Sequence, residues 1–416
     1  MTKTPEQGTK PGLRIWRRTF SSVRYKDFRW VWLGSCTEHI GEFMEIAALL
    51  WLVRQISGSP FILTLVVALR FIPMVIFSAI GGVVTDRMNR RNLLVITLVA
   101  FGLQSSILGI LVFTGAVVLW HIILMAILTG VITSFNHPAR ASMIPNLVKG
   151  EHLLNAISLD SASVMAARVI GMPIAGVVIA VAGVAPVFFI RTFGALLAIV
   201  WLLQVNMPAT PTGVRKGNPW KNLVEGFRYV SGYGIVLALV VLYLLPQFAN
   251  QTYTGFLPIY AVDIFHVGAV GYGYLQAAPG LGSVSAMVVL ASLGSDIHKG
   301  RLLFGSGMII GLALFIFGIN SSFIFSLFML FVLGGMGTAF LTLSTTLIQT
   351  IIPDEMRGRV MSLREISFGL GPALGLIFGA MAETTGVPMA VTYLGVVCFL
   401  IPLISMLALP GVRRLN

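Results

Sequence analysis

A chain of 416 residues that is 56% hydrophobic and only 10% charged cannot be a soluble domain with a generous core; it is a polytopic membrane protein. A net charge of +13 would suggest nucleic acid in a soluble chain. Here the basic residues fall between apolar runs, so the lipid bilayer and not nucleic acid is the expected partner. Cys36 and Cys398 lie inside terminal spans and read as packing residues, and the N-terminus lacks the apolar region and cleavage site of a signal peptide.

Residues 1–29 form a basic N-terminal segment in which Arg14, Arg17, Arg18, Arg24 and Lys26 alternate with Ile15, Trp16 and Phe20, the pattern of a short interfacial helix on an anionic leaflet. Apolar runs of about 20 residues then predict six spans within 30–206, a polar linker at 207–233, six further spans within 234–409 and a tail at 410–416. The expected fold is all-α, with twelve transmembrane helices in two six-helix bundles. Arg87, Arg90, Arg91, Arg140, Lys149, Arg215, Lys216, Lys221, Arg228, Lys299, Arg301, Arg357, Arg359, Arg413 and Arg414 all fall on one side of these spans, and Arg54 falls on the other. The positive-inside rule then places both termini in the cytoplasm.

The first span, VWLGSCTEHIGEFMEIAALLWLV at 31–53, carries Glu38, Glu42 and Glu45. With roughly 100° of rotation per residue, Glu42 lies about +40° and Glu45 about −20° from Glu38, so the three share one face within an arc of about 60°. An ionised carboxylate at mid-helix costs about 2.5 to 3.5 kcal/mol against lipid. The stripe must therefore face water, a partner or protons. His39, at the edge of the stripe, reads as bonded to a neighbouring helix rather than as a metal ligand, because the residues around it supply too few nitrogen or well-spaced oxygen donors.

The two halves echo each other. GGVVTDRMNRR follows span 2 and GSDIHKGR follows span 8; PARASMIPNLV follows span 4 and IIPDEMRGRV follows span 10; Gly171, Pro173 and Gly176 in span 5 match Gly371, Pro372 and Gly375 in span 11. Two such bundles joined by a basic linker are the architecture of an alternating-access transporter.

These residues resemble the major facilitator superfamily over the whole chain. Gly82, Asp86, Arg87, Arg90 and Arg91 match its loop signature G-x-L-A-D-R-x-G-R-R/K between spans 2 and 3. Asn89 stands where Gly is usual, a replacement compatible with a tight turn because Asn tolerates positive φ. The resemblance implies a gating role for this loop, with Asp86 brought to the neighbouring half; for Arg90 and Arg91 a purely topological role is the alternative. The Pro138–Ala139–Arg140 turn, Glu225 to Tyr229 before span 7 and Pro353 to Val360 before span 11 are similar to the subgroup of enterobactin exporters and macrolide-efflux proteins. GMPIAG in span 5 is close to the antiporter pattern G-P-x-x-G, with Met172 in place of the glycine before the proline.

The superfamily arrangement sets span 1 beside spans 2 and 5, which makes Arg70 and Arg168 the expected counter-charges of Glu38, Glu42 and Glu45. Two arginines leave one carboxylate over, so the five residues are either a coupled cluster sharing protons or a structural ion-pair cluster. Spans 7 and 10, which line the cavity in this superfamily, carry Gln247, Asn250, Gln251, Tyr253 and Thr254, and Thr338, Thr342, Thr345 and Gln349. These neutral groups suit an amphipathic organic molecule, or bond across helices within the bundle.

No Walker loop, nucleophile elbow or H-E-x-x-H pattern occurs, so neither a cofactor nor an enzymatic reaction is expected. The expected function is secondary active transport in a prokaryotic plasma membrane: a monomer exporting a hydrophobic or amphipathic small molecule in exchange for protons. The alternatives are an uptake carrier that binds a polar metabolite or organic cation on the acidic stripe, and a non-transporting receptor.

Overall fold

The computed structural model describes residues 20–205, 227, 228, 230–293 and 298–408, apart from the side chains of residues 79, 354, 355, 357–359 and 361–368. Most of the expected N-terminal interfacial helix and of the linker, and the whole tail at 410–416, lie outside the described residues.

Among the described residues twelve long helices follow one another without a strand. In the first half these are α1 Lys26–Ile56, α2 Pro60–Arg87, α3 Arg90–Phe113, α4 Leu119–Met143, α5 Gly150–Ala182 and α6 Ala185–Leu203. In the second they are α7 Gly234–Ile264, α8 Gly268–Ser292, α9 Lys299–Ile319, α10 Phe323–Ile351, α11 Asp354–Thr385 and α12 Val387–Ala408. Ten of the twelve are long and apolar enough to cross a bilayer. The other two are α1, with its glutamates, and α11, which opens with the charged run DEMRGR.

Helix ends follow local chemistry. Ser59 caps α2 by accepting a hydrogen bond from the Ile62 amide at 3.2 Å, just ahead of Pro60 in the first turn, where a missing N–H removes nothing. Asn89 caps α3, its Oδ1 accepting from the amides of Arg91 and Asn92 at φ −63°. It therefore serves as an N-cap, not as the positive-φ substitute for glycine that the loop signature suggested. At the ends of α5 and α11 the chain turns through Gly183 (φ 82°) and Gly386 (φ 83°), a left-handed conformation that glycine adopts without strain.

The same packing scheme is used twice. Helices α1 and α5, α2 and α4, α3 and α4, α3 and α6, and α1 and α6 pack together, and so do their counterparts six places on. The two bundles meet chiefly through α2 on α11 and α5 on α8. Outward faces stay apolar: on α3, Ile96, Val99, Leu103, Ile107 and Ile110 are all exposed, recurring every three to four residues as a lipid-facing stripe must.

The bundles touch at the end of the molecule that carries Arg54. Arg54 Nη2 lies 2.5 Å from Asp263 Oδ1. The Ser59 hydroxyl and the Phe61 amide both donate to Glu383 Oε1. A Cβ at Gly176 on α5 would lie 2.5 Å from the Ala269 carbonyl oxygen of α8, so this crossing exists only because the side chain is absent. At the opposite, basic end, Asp86 and Arg87 are exposed.

Candidate functional site

The three glutamates of α1 do not share one environment. Glu38 and Glu45 are buried between α1, α3, α4 and α6, with side chains 4% and 5% exposed, whereas Glu42 is 26% exposed. Arg191 of α6 spans the two buried ones: Nη2 donates to Glu38 Oε1 at 2.9 Å, Nη1 to the Glu38 carbonyl at 2.7 Å, and Nε to Glu45 Oε2 at 3.2 Å. Arg140 Nη2 takes the other Glu38 oxygen at 2.5 Å, and Ser105 donates to Glu45 Oε2 at 3.0 Å. Glycine makes room for this arrangement, since a Cβ at Gly41 would lie 2.9 Å from Arg191 Cδ. The Arg191 guanidinium also sits over the Phe101 ring at 5.0 Å, a contact that favours the cation.

His39 approaches Ser163 of α5 at 3.3 Å through Nδ1 and meets Arg140 through Nε2, so it is bonded to neighbouring helices. The described residues contain no cluster of three or more potential metal ligands.

Glu42 pairs with Arg70 of α2 at 3.2 Å, the contact that depth along the spans suggested. Arg168 does not join the cluster. Among the described residues it makes no ion pair with the glutamates; it stands beside the Tyr253 hydroxyl of α7, and Gly280 of α8 is close to its Cγ and Cδ. Three carboxylates are thus matched by Arg70, Arg140 and Arg191, not by Arg70 and Arg168.

Two registers explain the difference. Helix α4 continues through Pro138 to Met143, so Arg140 lies inside the bundle rather than in a loop. Helix α1 has 31 residues and α6 has 19; α1 overshoots α6 toward the Arg54 end, and Arg191 falls at the level of Gly41 although it is near the start of its own span.

A cavity with about 650 Å³ of atom-free space, mouth included, lies where the bundles face each other. Phe43, Ile46, Leu49, Leu50, Val66, Val67, Phe71 and Met172 form its apolar walls, and Arg70, Arg168, Asn250, Gln251, Thr254 and Gln276 its polar positions. Asn250 and Gln251 line this cavity, and Tyr253 orients Asn250 by donating to its Oδ1 at 2.9 Å. Gln247 is buried against Gly371 of α11. Thr338, Thr342 and Thr345 of α10 are not among the lining residues of this cavity. The Thr345 hydroxyl bonds the Leu341 carbonyl of its own helix at 2.7 Å, an i−4 bond that needs no neighbour. Gln276 of α8 was not anticipated, because nothing in an apolar, glycine-rich span distinguishes a cavity-facing glutamine from one bonded inside the bundle.

In the loop signature, Arg90 donates to the Ser142 carbonyl at 2.9 Å and Arg91 to the Leu203 carbonyl at 2.6 Å. Both therefore cap the C-terminal ends of α4 and α6, where carbonyls lack helical partners. A Cβ at Gly82 meets nothing within 4 Å; the close approach belongs to Gly81, whose Cβ would collide with the Ser134 carbonyl of α4.

A family model described as transmembrane secretion effector matches residues 17–414. The chain belongs to that family of the major facilitator superfamily. The chain is 24% identical to the staphyloferrin A transporter of Staphylococcus aureus, over 86% of this chain and 90% of that protein. It is 22% identical to macrolide efflux protein A of Streptococcus pyogenes over the same shares, and 26% identical to the enterobactin exporter EntS of Citrobacter koseri, over 87% of this chain and 86% of that one. Among solved structures, a POT family transporter superposes with a TM-score of 0.75 at 14% identity, covering 95% of this chain and 99% of that chain. A bacterial homologue of the lysosomal transporter Spinster superposes at 0.72 and 15%, covering 98% and 100%. This member of the superfamily is a multi-pass membrane transporter.

Proposed function

We propose that this transporter exports an amphipathic organic compound across the plasma membrane by proton-coupled alternating access, with Glu42 as the group that takes up and releases the proton. The observation that carries this reading is the split within the acidic stripe. Glu38 and Glu45 are each held by buried arginine, while Glu42 is partly exposed and its ion-pair partner, Arg70, lines the central cavity. A carboxylate that exchanges protons needs access, and one that transmits its state needs a link to the substrate site.

On this reading the basic end faces the cytoplasm, which the positive-inside rule supports. The contacts of Arg54 with Asp263 and of Ser59 with Glu383 then close the outer side, and Asp86 and Arg87 are exposed at the inner one. The export direction is supported by the enterobactin exporter and the macrolide efflux protein among the relatives. An organic-cation carrier built on the acidic stripe has less support, because arginine already pairs with all three carboxylates it would use.

The test is transport in proteoliposomes under an imposed pH gradient. Glu42→Gln should remove gradient-driven flux while leaving substrate exchange at equal pH intact. Undiminished gradient-driven flux in that variant removes Glu42 from the mechanism.

A further inference from the structure

The cavity concentrates polar groups that the fold leaves unanswered. Among the described residues nine buried side-chain polar atoms have no hydrogen-bond partner, and four of them belong to residues of this one cavity: Arg70 Nη1, Arg168 Nε, Thr254 Oγ1 and Gln276 Oε1. A buried polar group without a partner is unfavourable, and a guanidinium without one more so. Such groups gathered in one chamber mark where a ligand completes the bonding.

Among the described residues the charges in the chamber do not balance. Arg70 has Glu42 on one side of its guanidinium, whereas Arg168 has no carboxylate partner among the described residues and only the Tyr253 hydroxyl beside it. Among the described residues no acidic one lines the cavity. Among the described residues the result is one surplus positive charge within apolar walls, a condition that attracts an anion and repels a cation.

We infer that the transported compound is an amphipathic organic acid, its anionic oxygens bound by the free edges of Arg70 and Arg168. Its apolar or aromatic body lies against Phe43, Phe71, Val66 and Met172, and its neutral polar groups meet Asn250, Gln251 and Gln276. Planar guanidinium groups suit this task because they present paired N–H donors to a carboxylate. The inference rests on the export reading for its direction but not for its chemistry, so the two fail separately.

The experiment uses the full chain in lipid nanodiscs and three fluorescent probes of one shape: anthracene-9-carboxylate, its methyl ester and 9-(aminomethyl)anthracene. The acid should bind at least about tenfold more tightly than the ester or the amine, the range expected for hydrogen bonds to a charged group. Arg168→Gln should erase that preference while leaving ester affinity unchanged, and Arg168→Lys should restore part of it, with monodisperse elution showing that each variant folds. Ester or amine binding as tight as that of the acid, absence of saturable acid binding, or acid preference that survives Arg168→Gln overturns the assignment. Proton-driven efflux of the amine without that of the acid also overturns it, while leaving the transport reading in place. Acid-selective binding lost in Arg168→Gln, with no efflux of the acid in vesicles, supports the assignment and counts against the export reading instead.

Discussion

Arg191 of α6 is bonded twice to Glu38 of α1, through the carboxylate at 2.9 Å and the backbone carbonyl at 2.7 Å. One side chain thus joins the two helices by charge and by backbone geometry, at a point where both partners are almost fully enclosed.

Removing Arg191 deprives the buried Glu45 of its arginine, and removing Glu38 deprives the buried Arg140 of its carboxylate. Arg191→Gln or Glu38→Gln should therefore lower stability by about 3 to 5 kcal/mol, visible as a depressed thermal melting point in detergent together with loss of transport. Glu42→Gln, at the exposed position, should change melting far less. Equal losses at positions 38 and 42 would contradict the division of the stripe into structural and exchanging members.

Gly176 faces the Ala269 carbonyl of α8 across the bundle interface at the Arg54 end. Gly176→Leu forces a side chain into a contact that has no space for Cβ, an overpacking worth about 1 to 3 kcal/mol against the closed arrangement. That shifts the population of conformers by about 5- to 150-fold. Spin labels at Gln55 and Thr384 should report a longer distance in the variant, and an unchanged distance would refute the expectation.

The Arg54 and Asp263 side chains are 25% and 42% exposed, so their pairing contributes at most about 1 kcal/mol to the closed arrangement. Asp263→Arg should move the same label distances toward separation by a modest margin that salt diminishes, and adding Arg54→Asp should reverse the change. If the double variant stays as open as the single one, the ion pair is not the closing contact.

Asp86 and Arg91 belong to one sequence signature but to different physical situations. Asp86 is exposed, and Arg91 holds the last turn of α6. Arg91→Gln should lower stability by about 1 kcal/mol, the net value of a hydrogen bond of this kind, whereas Asp86→Asn should stay within about 0.5 kcal/mol and act on transport rate instead. Melting curves and initial rates measured on the same two variants separate the capping role from the gating one.

Much of this molecule is legible in the sequence because the bilayer allows few solutions. Apolar runs of span length have to be helices, and the 100° step puts Glu38, Glu42 and Glu45 on one face whatever surrounds them. The repeated small residues of α5 and α11 could likewise be read in advance as packing positions. Gly171 approaches the Ile40 carbonyl of α1 and Gly371 the Phe248 amide of α7, the same contact in each half.

The partners of those charges were decided only by tertiary structure. Depth along a span identified Arg70, misassigned Arg168 and put Arg140 in a loop, and it offered no partner role for Arg191. Depth depends on how far each helix overshoots its neighbours, and a 31-residue helix beside a 19-residue one carries no register mark in its sequence. The threonines of α10 and Gln276 of α8 teach the same lesson for the cavity, since a hydroxyl can satisfy itself on its own backbone while an amide two helices away is left facing the chamber. Sequence determined that charge must lie inside the membrane and on which face of α1; packing determined which carboxylates are locked by arginine, which one stays accessible, and which guanidinium is left over. A hydrogen bond extends about 3 Å, and only the relative heights and rotations of helices bring groups that close.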